Sequence, residues 1–101
     1  MEATTVTREQ GEAARDAALG ISGVAGLHGG RIGEVALLLP GERIEGVRPV
    51  HRSEGALGIE VHLVYDVSSE RPILDVADKV RAAVAKATDL DFVDIVVADA
   101  Q

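Results

Sequence analysis

Leu57-Gly58-Ile59-Glu60-Val61-His62-Leu63-Val64-Tyr65 is the stretch whose reading decides the fold. Leu57, Ile59, Val61, Leu63 and Tyr65 alternate with Gly58, Glu60, His62 and Val64. That two-residue period is a β-strand with one apolar face and one mixed face, and the apolar face has to be covered. Just upstream, Val47 to His51 reads as a second strand, with Arg48 and Val50 opposite Val47 and Pro49. Ser53-Glu54-Gly55 supplies the turn, so the two strands form an antiparallel hairpin. Pro49 cannot donate to a ladder and belongs at an edge or a bulge.

Farther upstream, Val35 to Leu39 is a short continuous apolar run ended by Pro40-Gly41, which fits a well-buried strand. Gly23-Val24-Ala25-Gly26-Leu27 leads into His28-Gly29-Gly30 and reads as a glycine-rich connection. Thr7-Arg8-Glu9-Gln10 is a capping box, in which the Thr7 hydroxyl and the Gln10 side chain satisfy each other's free amides. Behind it Ala13, Ala14, Ala17, Ala18 and Ile21 repeat at helical spacing, and Gly20 is placed to end or kink the helix. An alanine-lined face approaches a sheet closely but buries little area per residue.

Downstream, Ser68 to Pro72 opens a second helix, with Ile73, Val76, Ala77, Val80, Val84 and Ala87 on one stripe. Asp91 to Ala98 is the last strand. A connection holding about four helical turns suits a crossover between parallel strands. The order is α-β-β-β-α-β. It predicts an α+β chain forming a single small domain over residues 1–101, with an ordered core from about Thr7 to Ala98. Two helices pack on one face of a three- to four-stranded mixed sheet. Val64 and Val96 point to the other face, as does Val50, and His62 lies beside them. These four are the candidate interaction residues, because that is too much apolar surface for a freely solvated sheet.

Apolar residues make up 47% of the chain and charged residues 27%, a folding rather than a disordered composition. Phe92 and Tyr65 are the only aromatics, so the core must be built from aliphatic residues. Scarce aromatics and a formal charge of −7 argue against nucleic acid as a direct partner, since bases are stacked on rings and phosphates bound by cations. The acidic surface favours a basic partner patch, such as a juxtamembrane segment, or simply solubility. Cysteine is absent, which removes disulfides, thiolate metal sites and thiol nucleophiles. No apolar run approaches the ~18 residues of a spanning helix, and Met1 to Arg8 lacks the pattern of a secretory signal. The expectation is a cytoplasmic protein that reaches a membrane only through a partner.

No catalytic, cofactor or metal residues are assigned. His28, His51 and His62 are the only imidazoles, and His51 and His62 fall on paired strands that can bring them together, yet two ligands do not complete a zinc site. Ser22, Ser53, Ser68 and Ser69 sit in turn or cap contexts, and none lies in a nucleophile elbow. Gly23-Val24-Ala25-Gly26, Gly26-Leu27-His28-Gly29 and Gly30-Arg31-Ile32-Gly33 share the GxxG spacing of a KH-type RNA-binding loop, but only the third carries a cation. A KH-like RNA-binding module is therefore the alternative to an interaction domain.

Several segments, in order, resemble the alkaline shock protein family, a family of general-stress and envelope-stress proteins. They are Ile21-Ser22-Gly23-Val24-Ala25-Gly26-Leu27, Gly46-Val47, Gly58 to Tyr65, Ile73-Leu74-Asp75-Val76-Ala77-Asp78-Lys79-Val80-Arg81, Thr88-Asp89-Leu90 and Val93 to Asp99. Asp89 and Arg81 depart from the glycine and glutamine usual in that family. A left-handed helix cap at Asp89 would cost around 1 kcal/mol, or another geometry would replace it. The resemblance implies a non-enzymatic cytoplasmic protein of cell-envelope homeostasis in Gram-positive bacteria. It also implies self-assembly, or association with the membrane through a membrane-anchored partner, and no cofactor or small-molecule substrate. The bias toward Ala, Val, Asp and Arg suggests a GC-rich genome such as that of an actinobacterium.

Overall fold

The computed structural model describes residues 5–101. Its elements are α1 (Arg8–Leu19), β1 (Val24–Leu27), β2 (Ala36–Leu39), β3 (Glu42–Glu45), β4 (Val47–His51), β5 (Leu57–Tyr65), α2 (Ile73–Thr88) and β6 (Phe92–Ala100). Short 3-10 turns occupy Ser53–Gly55 and Val67–Ser69. This is an α+β fold with two helices and a mostly antiparallel sheet.

Strand β5 is the axis of the main sheet. On one edge it pairs in parallel with β6, from Gly58↔Phe92 to Tyr65↔Ala100. Its other edge is shared end to end by two antiparallel strands. β4 takes the first half, from His51↔Leu57 to Val47↔Val61, and β1 the second, from Leu27↔Leu63 to Val24↔Tyr65. His62 stands at the joint. Its N–H donates to the Gly46 carbonyl at 2.9 Å and its carbonyl accepts from the His28 N–H at 2.8 Å, so the ladder continues without a gap.

The alternation along β5 sorts its side chains as the sequence predicts. Ile59, Val61 and Leu63 are fully buried and join Val47 and Val93 from the neighbouring strands. Above them lie Ala14 and Ala18 of α1 and Val76, Val80 and Val84 of α2, so both helices cover the same face. A fully buried Val, Leu or Ile contributes about 1.5–3 kcal/mol, and in a core almost without aromatics these residues carry most of the stability. The helices run antiparallel. The Gln10 side chain donates to the Thr88 carbonyl at one end, and Arg71 Nε donates to Ser22 Oγ at the other. The capping box at Thr7 is present, its hydroxyl accepting from the Gln10 N–H at 3.1 Å.

Several expectations need correction. Two strands were not foreseen, β1 and β3. β1 reads as a loop because glycine interrupts it, yet Val24 and Leu27 pack against the core. β3, Glu-Arg-Ile-Glu, has a single apolar residue, but that residue, Ile44, is buried. β3 pairs with β2 in a separate two-stranded hairpin, so the Val35 to Leu39 run is not a strand of the main sheet. Leu37 and Ile44 point into the core while Leu38 is 74% exposed. Gly46 turns the chain from this hairpin into β4 with φ 89°, where a β-carbon would collide with Leu27. On α2 the stripe ends at buried Thr88, whose hydroxyl donates to the Val84 carbonyl at 2.8 Å, and Ala87 is exposed. The chain adds a residue or two at each end of the expected core. Val6 is in the core and β6 runs to Ala100.

Helix α2 ends on Asp89 in the left-handed conformation, φ 56° and ψ 28°, its N–H donating to the Ala85 carbonyl at 3.0 Å. Of the two outcomes the sequence left open at this position, the left-handed cap is the one adopted. Asp89→Gly is expected to raise stability by about 0.5–1 kcal/mol by relieving that conformation. Leu63→Ala, at the centre of the sheet, is expected to cost about 2–5 kcal/mol. Urea unfolding of both variants checks the pair.

Candidate interaction face

The helix-free face of the sheet is assembled by the register of β5 with its neighbours. Residues that share a row share a face, so Val50, Gly58 and Phe92 form one row and Arg48, Glu60 and Asp94 the next. His62 beside Val96 forms the third, and Gly26 beside Val64 begins the fourth. All four candidate residues, Val50, His62, Val64 and Val96, therefore lie on this face.

They are not equivalent. Val64 is only 8% exposed, so it belongs to the body of the domain more than to a docking surface. Val96 is 37% exposed and Val50 half-buried. Between them runs a fixed set of charges that sequence reading did not single out. Glu60 Oε1 accepts from Arg48 Nε at 2.9 Å and Arg48 Nη2 at 2.8 Å, and lies 2.5 Å from His62 Nε2. Burial pushes the Glu60 carboxyl up, but the His62 hydrogen bond and the Arg48 charge outweigh it. The net effect holds the group below the ordinary carboxylate range.

A second cluster caps the row at Gly58. A β-carbon there would overlap the Phe92 ring, so glycine is what lets the aromatic lie flat against β5. The Arg52 guanidinium stacks 3.8 Å from the ring centroid and reaches Asp94 Oδ2 at 2.8 Å. The alternation of β5 and β4 implies paired partners for Glu60, but not which residues reach across. Arg52 lies beyond the end of β4, and its reach to β6 depends on the bare surface of Gly58.

His51 and His62 do not come together. His51 pairs with Leu57 on the helix-covered side, five residues along β5 from His62 and on the other face. No group of three metal-ligating side chains occurs among the described residues. In the Gly30-Arg31-Ile32-Gly33 loop the Gly30 N–H donates to His28 Nδ1 at 3.0 Å, and the Ile32 N–H is turned to the carboxylate of the residue after the loop, Glu34. Glu34 Oε2 accepts from the Ile32 N–H at 3.0 Å, and the amides of Glu34 and Ile32 hold its carboxyl below the ordinary range. A carboxylate thus already takes a loop amide that an incoming phosphate would compete for. Among the described residues no helix is long and apolar enough to cross a membrane.

Compared with known proteins, the chain matches no family model, no curated protein and no solved structure.

The depressed Glu60 carboxyl links the face to pH. Its ionised form stabilises the fold above the unfolded-state value near 4.5, and that contribution is lost as pH falls through the lower folded value. Urea unfolding between about pH 7 and pH 3 is expected to show stability falling below about pH 4.5, with a shallower fall in Glu60→Gln. Equal slopes for both proteins would contradict the assignment.

Proposed function

We propose that this domain is a non-enzymatic interaction module, a self-associating or partner-binding scaffold of cell-envelope stress and homeostasis near the cytoplasmic face of the membrane. The observation that carries the reading is the one-sided sheet. Both helices cover one face, and the other presents Val50 and Val96 around a row of pre-paired charges. Such a surface is ready to receive a partner at little entropic cost, because Arg48, Glu60, Arg52 and Asp94 are already held in place. The envelope setting, a membrane-anchored partner and a Gram-positive source come from the resemblance to the alkaline shock protein family. The charge of −7 suits a partner with a basic juxtamembrane segment. The KH-like alternative is disfavoured by Glu34, which already takes an amide of the one GxxG loop that carries a cation.

A pull-down from detergent-solubilised membranes of the source organism, with the tagged domain as bait, tests the proposal. An integral membrane protein with a basic cytoplasmic segment is expected. Its recovery should fall about tenfold with Val50→Asp, a variant expected to melt as the wild type does. Equal recovery by both baits, or no membrane protein above the bead control, contradicts the reading.

A further inference from the structure

Strand β6 is the longest unpaired edge of the main sheet. Among the described residues it hydrogen-bonds only to β5. As far as Val97, every second residue along its outer side therefore presents an N–H and C=O with no strand beside it, while the Ala100 N–H donates to Asp99 Oδ1. The opposite edge is protected differently. There β4 carries Pro49 and Arg48, and β1 is only four residues long. In β6, Phe92-Val93-Asp94-Ile95-Val96-Val97-Ala98-Asp99-Ala100, there is no proline, glycine, lysine or arginine.

Two acidic residues and one irregularity are the only blunting devices. Asp94 is already neutralised by Arg52 at 2.8 Å. The register shift opposite Leu63 and Val64, together with Asp99, affects only the end of the strand beyond Val97. From Phe92 to Val97 the edge is open. Val96 and Val97, on opposite faces of it, are 37% and 38% exposed.

We propose that this edge is completed by a second copy of the chain. β6 of each copy pairs antiparallel with the other about a two-fold axis at Ile95 or Val96, making one sheet continuous through the dimer. The sequence of β6 is self-complementary for that arrangement. An axis at Ile95 sets Val93 opposite Val97 and Asp94 opposite Val96. An axis at Val96 sets Ile95 opposite Val97 and Asp94 opposite Ala98. Within β6 neither register opposes two carboxylates, and apolar residues meet at Val93–Val97 or Ile95–Val97, with Asp94 opposite Val96 or Ala98. The Ile95 axis also sets Asp91, just before the strand, opposite Asp99, which favours the Val96 axis. Each copy carries −7, so long-range repulsion opposes pairing and added salt relieves it. A basic partner held by charge would respond to salt in the opposite sense.

The inference rests on the reading of the domain as an interaction module, but the two fail separately. Membrane-protein capture can succeed with a monomeric bait, and a dimer can form without it. Light scattering on the wild type is expected to show the mass rising from 10.5 kDa toward twice that value, at lower protein concentration when salt is raised. The double variant V96K/V97K, with unchanged circular dichroism, is expected to need at least about tenfold more protein to dimerise.

Because the chain has no cysteine, single-cysteine variants give a second readout that does not depend on the folding of the lysine variant. Val96→Cys near the axis is expected to form a reducible dimer under mild oxidation, while Glu54→Cys in the exposed turn stays monomeric. A wild-type mass of 10.5 kDa at every concentration and salt overturns the proposal. So does a folded V96K/V97K protein that dimerises like the wild type, or Val96→Cys cross-linking no faster than Glu54→Cys.

Discussion

Everything in this fold depends on β5 being hydrogen-bonded along both edges at once. One edge is filled by a single parallel strand, the other by two short antiparallel strands meeting at His62. β1, β4 and β6 come from distant parts of the chain and share no ladder with one another. Their order in the sheet is set by pairing with β5. Its buried residues Ile59, Val61 and Leu63 are also the floor on which both helices rest. One nine-residue strand thus sets the sheet order, the core and the placement of α1 against α2.

The same strand writes the chemistry of the bare face. Because β5 alternates strictly, Glu60 and His62 emerge on the side away from the helices, where β4 supplies Arg48 to them. Gly58 leaves room for Phe92, and the flat ring gives Arg52 a platform from which to reach Asp94. The face is neither an apolar slab nor a solvated charge field. It is a set of ion pairs centred on Glu60 and Asp94, bordered by Val50 and Val96. Such pairs contribute little to stability at a surface, but they limit which partner can approach without leaving a charge unmatched.

Much of this was legible in the sequence, and the limits have physical causes. β5, β4, α1 and the crossover through α2 to β6 were readable because each carries a clear period or cap. β1 and β3 were not. In β1 the pairing is made by backbone groups beside glycines, and in β3 one isoleucine among three charged residues gives no alternation to count. Pairing of β2 with β3, instead of within the main sheet, is set by Gly46 and the short Pro40-Gly41 connection, a matter of chain direction that hydropathy does not encode. On the candidate face, rows could be guessed once β4 and β5 were paired. The low exposure of Val64 could not be read from alternation alone, and the Arg52–Phe92–Asp94 cluster is long-range in sequence.

The most direct test of β5 as the organising element is native-state hydrogen exchange, followed residue by residue in increasing denaturant. Amides of Ile59, Val61, His62 and Leu63 are expected to exchange only through global unfolding, with the free energy and denaturant dependence of the whole domain. The β2–β3 hairpin and the last residues of β6 are expected to open at lower free energy. If β5 amides instead exchange by local opening while α1, α2 or the hairpin remains protected, the fold has another keystone and the dependence described above is wrong.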